Sequence, residues 1–304
     1  MDIPSLALAF GVAWTPLNVP TPRAVPAADS SAAPIVMIDA QGAARGWQDA
    51  VADLATARVI AVGEGHDNAA HHLIQAEVLA ALAARVPRLA VAFEMVTFEQ
   101  QPVLDAFMSG RMAEKEFAAW WKKHWGYDYF LYKPIFDAAK SAAVPAYGIN
   151  APLELVKAVS KNGLASLSRA DRARLPSSIR ESSDARYRDF VKESLGGHGP
   201  LPPEKMKNRL EAMAVWNETM GEKAAALAAA GHVVVVIVGG GHVYFKGGVP
   251  ESAARRAAGP VKVLLPLEQR PQGDALALAD WFRLVPNVRK VKATAPDDLW
   301  LPLR

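Results

Sequence analysis

Short continuous apolar runs alternate along this chain with longer stretches in which apolar residues return every three or four positions. The runs are RVIAV at 58–62, RLAVAF at 88–93, VPAYGI at 144–149, HVVVVIV at 232–238 and VKVLLPL at 261–267. Each is short, aliphatic and bounded by Gly, Pro or polar residues, the mark of a strand buried on both faces. A further short strand is expected over 35–38, then a turn at Gly42 and Gly46 and a helix over 47–56. Pro266 has no backbone N–H to give to a ladder, so the last run is expected at a sheet edge. After the first long run, Asp67 or Asn68 can cap a helix reaching about Arg85, with Leu73, Ala76, Val78, Leu79 and Leu82 as its apolar stripe. Residues 107–140 and 153–231 carry no strand pattern and read as helices with polar loops. Buried strands alternating with helices imply an α/β fold, a mostly parallel central sheet flanked by helices. An α-helical insertion or cap is expected at about 107–230, inside a single domain of residues 35–304.

Composition excludes several classes. Hydrophobic residues make up 51% of the 304 and charged ones 21%, which is a globular balance and not that of a disordered chain. Lys and Arg total 34 against 31 Asp and Glu, and this scattered surplus of +3 does not point to nucleic acid. The absence of cysteine removes disulfides, thiolate metal sites and a Cys nucleophile, so any metal must be held by His, Asp, Glu or Tyr. The apolar run at 3–14 is shorter than the roughly 20 residues a membrane-spanning helix needs. It leads into a Pro-, Ala- and Ser-rich stretch in which Val25 and Ala27 are placed as the small residues before a signal-peptidase cut. Residues 1–34 are therefore read as an exported or disordered arm, although MDIPS lacks the positive charge of a signal peptide.

Candidate chemistry collects where the strands end. In open parallel sheets ligands bind beyond the carboxyl ends of the strands. RVIAV delivers Gly63, Glu64, Gly65 and His66 there, RLAVAF delivers Glu94, VPAYGI delivers Asn150, and HVVVVIV delivers Gly239, Gly240, Gly241 and His242. In both histidine segments a Gly stands three residues before the His, where it permits a tight turn and a close approach of backbone to a bound atom. His66 and His242 with Glu64 or Glu94 can hold a divalent ion that activates water, leaving the other carboxylate as base. Equally, His66 alone can deprotonate water, oriented by Glu94. His72 faces the site from the helix N-terminal end or lies on a partly exposed helix face, and Asn150, close to Pro152, serves the site or shapes a turn. VGEGHDN is only half of a dinucleotide fingerprint: Asn68 replaces the third Gly and His66 stands where a pyrophosphate would lie. No P-loop, G-x-S-x-G or H-E-x-x-H motif is present.

Nine of the 24 aromatics fall within 117–136: Phe117, Trp120, Trp121, Trp125, Tyr127, Tyr129, Phe130, Tyr132 and Phe136. They form either a lid packed on the sheet or a wall for a large flat apolar ligand, with Lys122, Lys123 and Lys133 near enough in sequence to meet its carboxylates. Met213, Trp216, Asn217 and Met220 share a helix face, which reads as core with Asn217 as a polar group aimed at the site or satisfied within the packing.

On these residues the chain resembles the ChaN-like family of haem-binding uptake proteins, in the superfamily that also holds Tiki proteases and erythromycin esterases. The resemblance runs over about 35–270 in ordered blocks: VIAVGEGHDNAAHHLIQAEVL, VAFEMVTFEQQPVLDAFMSG, YKPIFDAAK, GINAP, WNETM and VVVIVGGGHVYFKGGVP. It implies haem held between the subunits of a homodimer with a Tyr as iron ligand; Tyr127, Tyr129, Tyr132 and Tyr244 are the candidates, with His72 and Asn150 beside the cofactor. Gly65 stands where the family more often has a small polar residue. Lacking a Cys for a lipid anchor, the chain is expected to be a soluble periplasmic protein in haem or iron uptake, with no nucleic-acid partner and no membrane span. The Tiki and esterase relatives imply the alternative, a metal- or histidine-activated hydrolase using His66, Glu94 and His242; the residues leave open whether the chain is an enzyme.

Overall fold

The computed structural model describes residues 36–196, 201–257 and 259–285, so the N-terminal arm and its export reading lie outside the described residues, as does Ile35 of the first expected strand. The described residues form one eight-stranded sheet in the order β2-β1-β8-β7-β3-β6-β4-β5. Its centre is built from the apolar runs: β3 (Val59–Glu64), β4 (Leu89–Thr97), β5 (Ala146–Asn150), β6 (Val233–Gly239) and β7 (Val261–Leu267). These strands and β8 (Trp281–Leu284) are parallel, whereas β1 (Met37–Asp39) and β2 (Ala44–Arg45) complete one edge in antiparallel pairing.

Side chains alternate across the strands, so two cores form. Ile60, Val62, Val235 and Ile237 face a layer of α1 (Trp47–Leu54), α2 (Ala69–Ala83), α3 (Gln101–Met108), α4 (Glu114–His124) and α5 (Tyr129–Ser141). Val59, Ala61, Val234, Val236 and Val238 face Met220, Ala224 and Ala228 of a long helix and Val249 and Ala253 of a short one. Between β5 and β6 the chain forms α6 (Leu153–Asn162), α7 (Arg169–Ala173), α8 (Ala185–Gly196) and the long α9 (Pro203–Ala229); α10 (Val249–Ala254) follows β6. The helical insertion is thus split by β5 into a layer on one face and a cap on the other. The aromatic concentration is mainly a lid. Phe117, Trp121, Tyr129, Tyr132 and Phe136 are fully buried, with Phe107 stacked on Phe117 at 3.8 Å and Phe93 on Phe136 at 4.6 Å.

Asn68 caps α2 by accepting from the backbone N–H of Ala70 and His71. One expectation is corrected, and one strand is new. Strand β7 is interior, between β3 and β8; the β3 pairing stops at Leu264, so the N–H that Pro266 lacks would have met no partner on that side. Strand β8, a four-residue WFRL segment, carries no extended apolar run and was not expected.

Candidate functional site

The carboxyl ends of β3, β4 and β6 bring two carboxylate–imidazole pairs together. Glu64 ends β3 with its carboxylate buried under α2 and α5, where Oε1 accepts from His66 Nδ1 at 2.8 Å and from the Tyr132 hydroxyl at 2.7 Å. Tyr132 in turn accepts from Trp125 Nε1 at 3.1 Å. His72, fully buried and 4.1 Å from the Tyr132 ring, places Nε2 3.3 Å from Glu64 Oε2. A carboxylate only accepts, so the Glu64 bond fixes the His66 proton on Nδ1 and leaves Nε2 as the other ring nitrogen. That ring rests on Gly239: a Cβ there would lie 2.7 Å from His66 Cε1 and 3.0 Å from Nε2. Trp125 meets His66 edge-on at 4.9 Å and Tyr127 lies at 5.4 Å, leaving the imidazole 13% exposed.

The second pair stands across Gly239. Glu94 Oε2 accepts from Gly239 N–H at 2.5 Å, while Oε1 lies 3.3 Å from His242 Nε2. His242 Nδ1 is 2.7 Å from Asn217 Oδ1, on α9. The position of Glu94 is held from the backbone: Asn150 Nδ2 donates to its carbonyl at 2.8 Å, and Asn150 Oδ1 accepts from Ala151 N–H. This explains Gly148 as well, since a Cβ there would lie 2.6 Å from the Thr97 carbonyl.

These contacts set the charges. Burial opposes ionisation of Glu64, but attraction to His72 and the hydrogen bond from His66 outweigh it and hold the carboxyl well below its usual range. Burial likewise opposes ionisation of Glu94, and His242, His66 and the Gly239 N–H outweigh it. Burial alone would lower His66; its bond to Glu64 and the charges of Glu94, Glu64 and Asp67 raise it instead. His71 is pushed down to about 4 by burial and by His72, and as a neutral ring it accepts from Gly65 N–H at 2.9 Å. Burial raises Tyr132 far above 10, and the charge of Glu64 adds to the effect.

Glu64, and not Glu94, orients His66; Glu94 meets His242. For the expected divalent site of His66 and His242 with Glu64 or Glu94 the structure offers no support: the carboxylate oxygens face imidazoles pairwise, and among the described residues no three His, Asp or Glu side chains are placed to share a metal ion. His72 is buried against Glu64 and not at an open surface, and the Asn150 amide serves the backbone. Of the four tyrosines, Tyr129 and Tyr132 lie inside the core, Tyr127 lies half-buried beside His66, and Tyr244 lies above Gly240, whose Cβ would meet its hydroxyl at 3.1 Å. Lys133 is taken up by Glu114 and Asp137, and Lys122 donates to the Gly126 carbonyl. Tyr187 was missed: it donates to the Gly241 carbonyl at 3.0 Å and accepts from Asn217 Nδ2 at 3.0 Å. Its one sequence signal is the pair Gly247–Gly248, where added Cβ atoms would strike its ring.

Comparison with known proteins agrees with this architecture. The structure entitled "Cofacial heme binding to ChaN of Campylobacter jejuni" superposes with a TM-score of 0.67 at 16% identity, covering 82% of this chain and 96% of that one. The type III effector HopBA1 gives a TM-score of 0.49 at 13% identity over 78% of this chain and 91% of that one. An erythromycin esterase, EreC, in its open conformation gives 0.44 at 12% identity, over 72% of each chain. No curated protein is a significant match to the chain. The family model described as "Haem-binding uptake, Tiki superfamily, ChaN" matches residues 50–252, well over half of the sequence, and the chain belongs to that family.

Proposed function

We propose that this protein binds haem on the rim formed by His66, Trp125 and Tyr127, and that it serves haem or iron uptake in the periplasm. One observation carries the reading: a partly exposed imidazole, its Nδ1 taken up by Glu64, stands against two partly exposed aromatic rings. A porphyrin needs an apolar aromatic surface and a nitrogen or phenolate donor to iron; Trp125 and Tyr127 offer the first, and His66 and Tyr127 the second. Tyr127 is the phenol beside His66, and Lys123, exposed on α4 two residues before Trp125, is the candidate partner for a propionate. When bound, the haem iron supplies a Lewis-acidic centre. Burial and the charges of Asp67, Glu64 and Glu94 hold the Tyr127 phenol neutral, so its ligation to iron must release a proton. The cofacial haem binding named for the Campylobacter relative favours haem as the ligand; a homodimer in which the rim of one copy faces that of another is part of the proposal. Titration with haemin, followed by absorbance, tests the proposal: a shifted Soret band saturating at one haem per chain is expected, and no shift at equimolar protein overturns it.

A second reading rests on the Glu64–His66 bond at 2.8 Å, which is the geometry of an oriented general base. In that reading His66 Nε2 takes the proton of an attacking water, Glu64 stabilises the resulting imidazolium, and His242 with Glu94 completes an acid–base site for an ester or peptide. A broad substrate screen on the parent, His66→Ala and His242→Ala decides it, and equal turnover in all three excludes it.

A further inference from the structure

Behind His242 lies a chain of polar groups that the haem and hydrolase readings leave unused. Tyr187, 2% exposed on α8, donates its hydroxyl proton to the Gly241 carbonyl at 3.0 Å. A hydroxyl has one proton and a carbonyl only accepts, so toward Asn217 the Tyr187 oxygen must act as acceptor. It does so from Asn217 Nδ2 at 3.0 Å. With its amino group turned to Tyr187, Asn217 presents Oδ1 to His242 Nδ1 at 2.7 Å. That oxygen can only accept, and the proton must therefore sit on Nδ1.

We infer that Tyr187 is a positioning residue which, through Asn217, locks the tautomer of His242, so that Nδ1 keeps its proton and Nε2, 3.3 Å from Glu94 Oε1, is the nitrogen at which the ring gains or loses one. The loop carrying His242 is shaped around this tyrosine. A Cβ on Gly247 would lie 2.4 Å from Tyr187 Cγ, and one on Gly248 would lie 2.6 Å from its hydroxyl and 2.4 Å from the His242 carbonyl. Gly248 also has φ +60°, a conformation that disfavours other residues. Trp216 closes the remaining side, edge-on to the imidazole at 5.9 Å. His66 reaches the same tautomer through Glu64. The lock is independent of whether the site receives haem or a hydrolysable substrate.

The test is long-range ¹H–¹⁵N NMR of protein labelled at histidine, with His242→Gln identifying the signals of His242 and the pH raised until the ring is neutral. The parent is expected to show a protonated Nδ1 and a bare Nε2. Tyr187→Phe keeps the ring but frees the Asn217 amide to turn, and the single Nδ1–H pattern is expected to be lost. Adding Asn217→Asp, an acceptor in either orientation, is expected to restore it. A parent ring protonated on Nε2 overturns the inference, as does a Tyr187→Phe spectrum identical to that of the parent. Should Tyr187→Phe not fold, Asn217→Leu replaces it under the same criterion: retention of the Nδ1–H pattern overturns the inference.

Discussion

Glu64 organises the first imidazole more than any other single residue. It sits at the last position of β3 without exposure of its side chain, and its two oxygens meet His66, Tyr132 and His72. Burying a carboxylate this deeply is costly unless donors surround it: Oε1 takes two, from His66 and Tyr132, whereas Oε2 has the His72 ring at 3.3 Å and accepts no hydrogen bond among the described residues. The charge of Glu64 is in turn what lifts His66 against the effect of burial. Glu64→Gln removes that charge while keeping the size of the side chain. We expect the His66 titration midpoint, followed by NMR, to fall from its raised value; an unchanged midpoint would mean that Glu64 does not control the ring. Gly239 acts at the same scale by absence, since any side chain there would occupy the place of His66.

Among the elements, the strands were legible because each is a continuous apolar run too short for a buried helix, and the strand-end rule then located Glu64, His66, Glu94 and His242. The assignment of partners was not legible. Whether Glu64 or Glu94 holds His66 depends on side-chain direction at the strand end, and Tyr132 and Tyr187 arrive on α5 and α8 through tertiary packing that leaves no local periodicity. Strand β8 escaped because a four-residue strand is set by its neighbours β1 and β7 and not by its own pattern. The β4–β5 contact offers an element-level test. Gly148→Ala directs a methyl at the Thr97 backbone, 2.6 Å away, where no flexible side chain can yield. A loss of about 1–3 kcal/mol is expected from such overpacking, read as a lower denaturant midpoint at constant m-value. An unchanged midpoint would show that β5 can shift away from β4 at no cost.

For the whole molecule, the same shifts set how stability depends on pH. Glu64 and Glu94 are lowered from 4.5, so they stabilise the fold above that value and lose the contribution as pH falls through their folded values. His66 is raised from 6.5, so its contribution is complete below 6.5 and is lost as pH rises through its folded value. His71 works in the opposite sense: it is lowered from 6.5 to about 4, so folding loses stability as pH falls across that interval. Together these groups place the maximum of the thermal midpoint near pH 6.5. His66→Gln should flatten the alkaline limb and His71→Gln the upper part of the acid limb; parallel curves for all three proteins would contradict the assignment.

If the strand-end imidazole and the aromatic rim form one ligand surface, losing either must weaken haemin binding. Haemin titration of four proteins tests it most directly: the parent, His66→Ala, Tyr127→Phe, and Tyr147→Phe as a control on β5, where that tyrosine packs near His232 instead. The parent and Tyr147→Phe should give the same shifted Soret band, while His66→Ala and Tyr127→Phe should each lose about tenfold or more in affinity, equivalent to about 1.4 kcal/mol. Four superimposable titrations, or a parent that leaves the haemin spectrum unaltered, would contradict it.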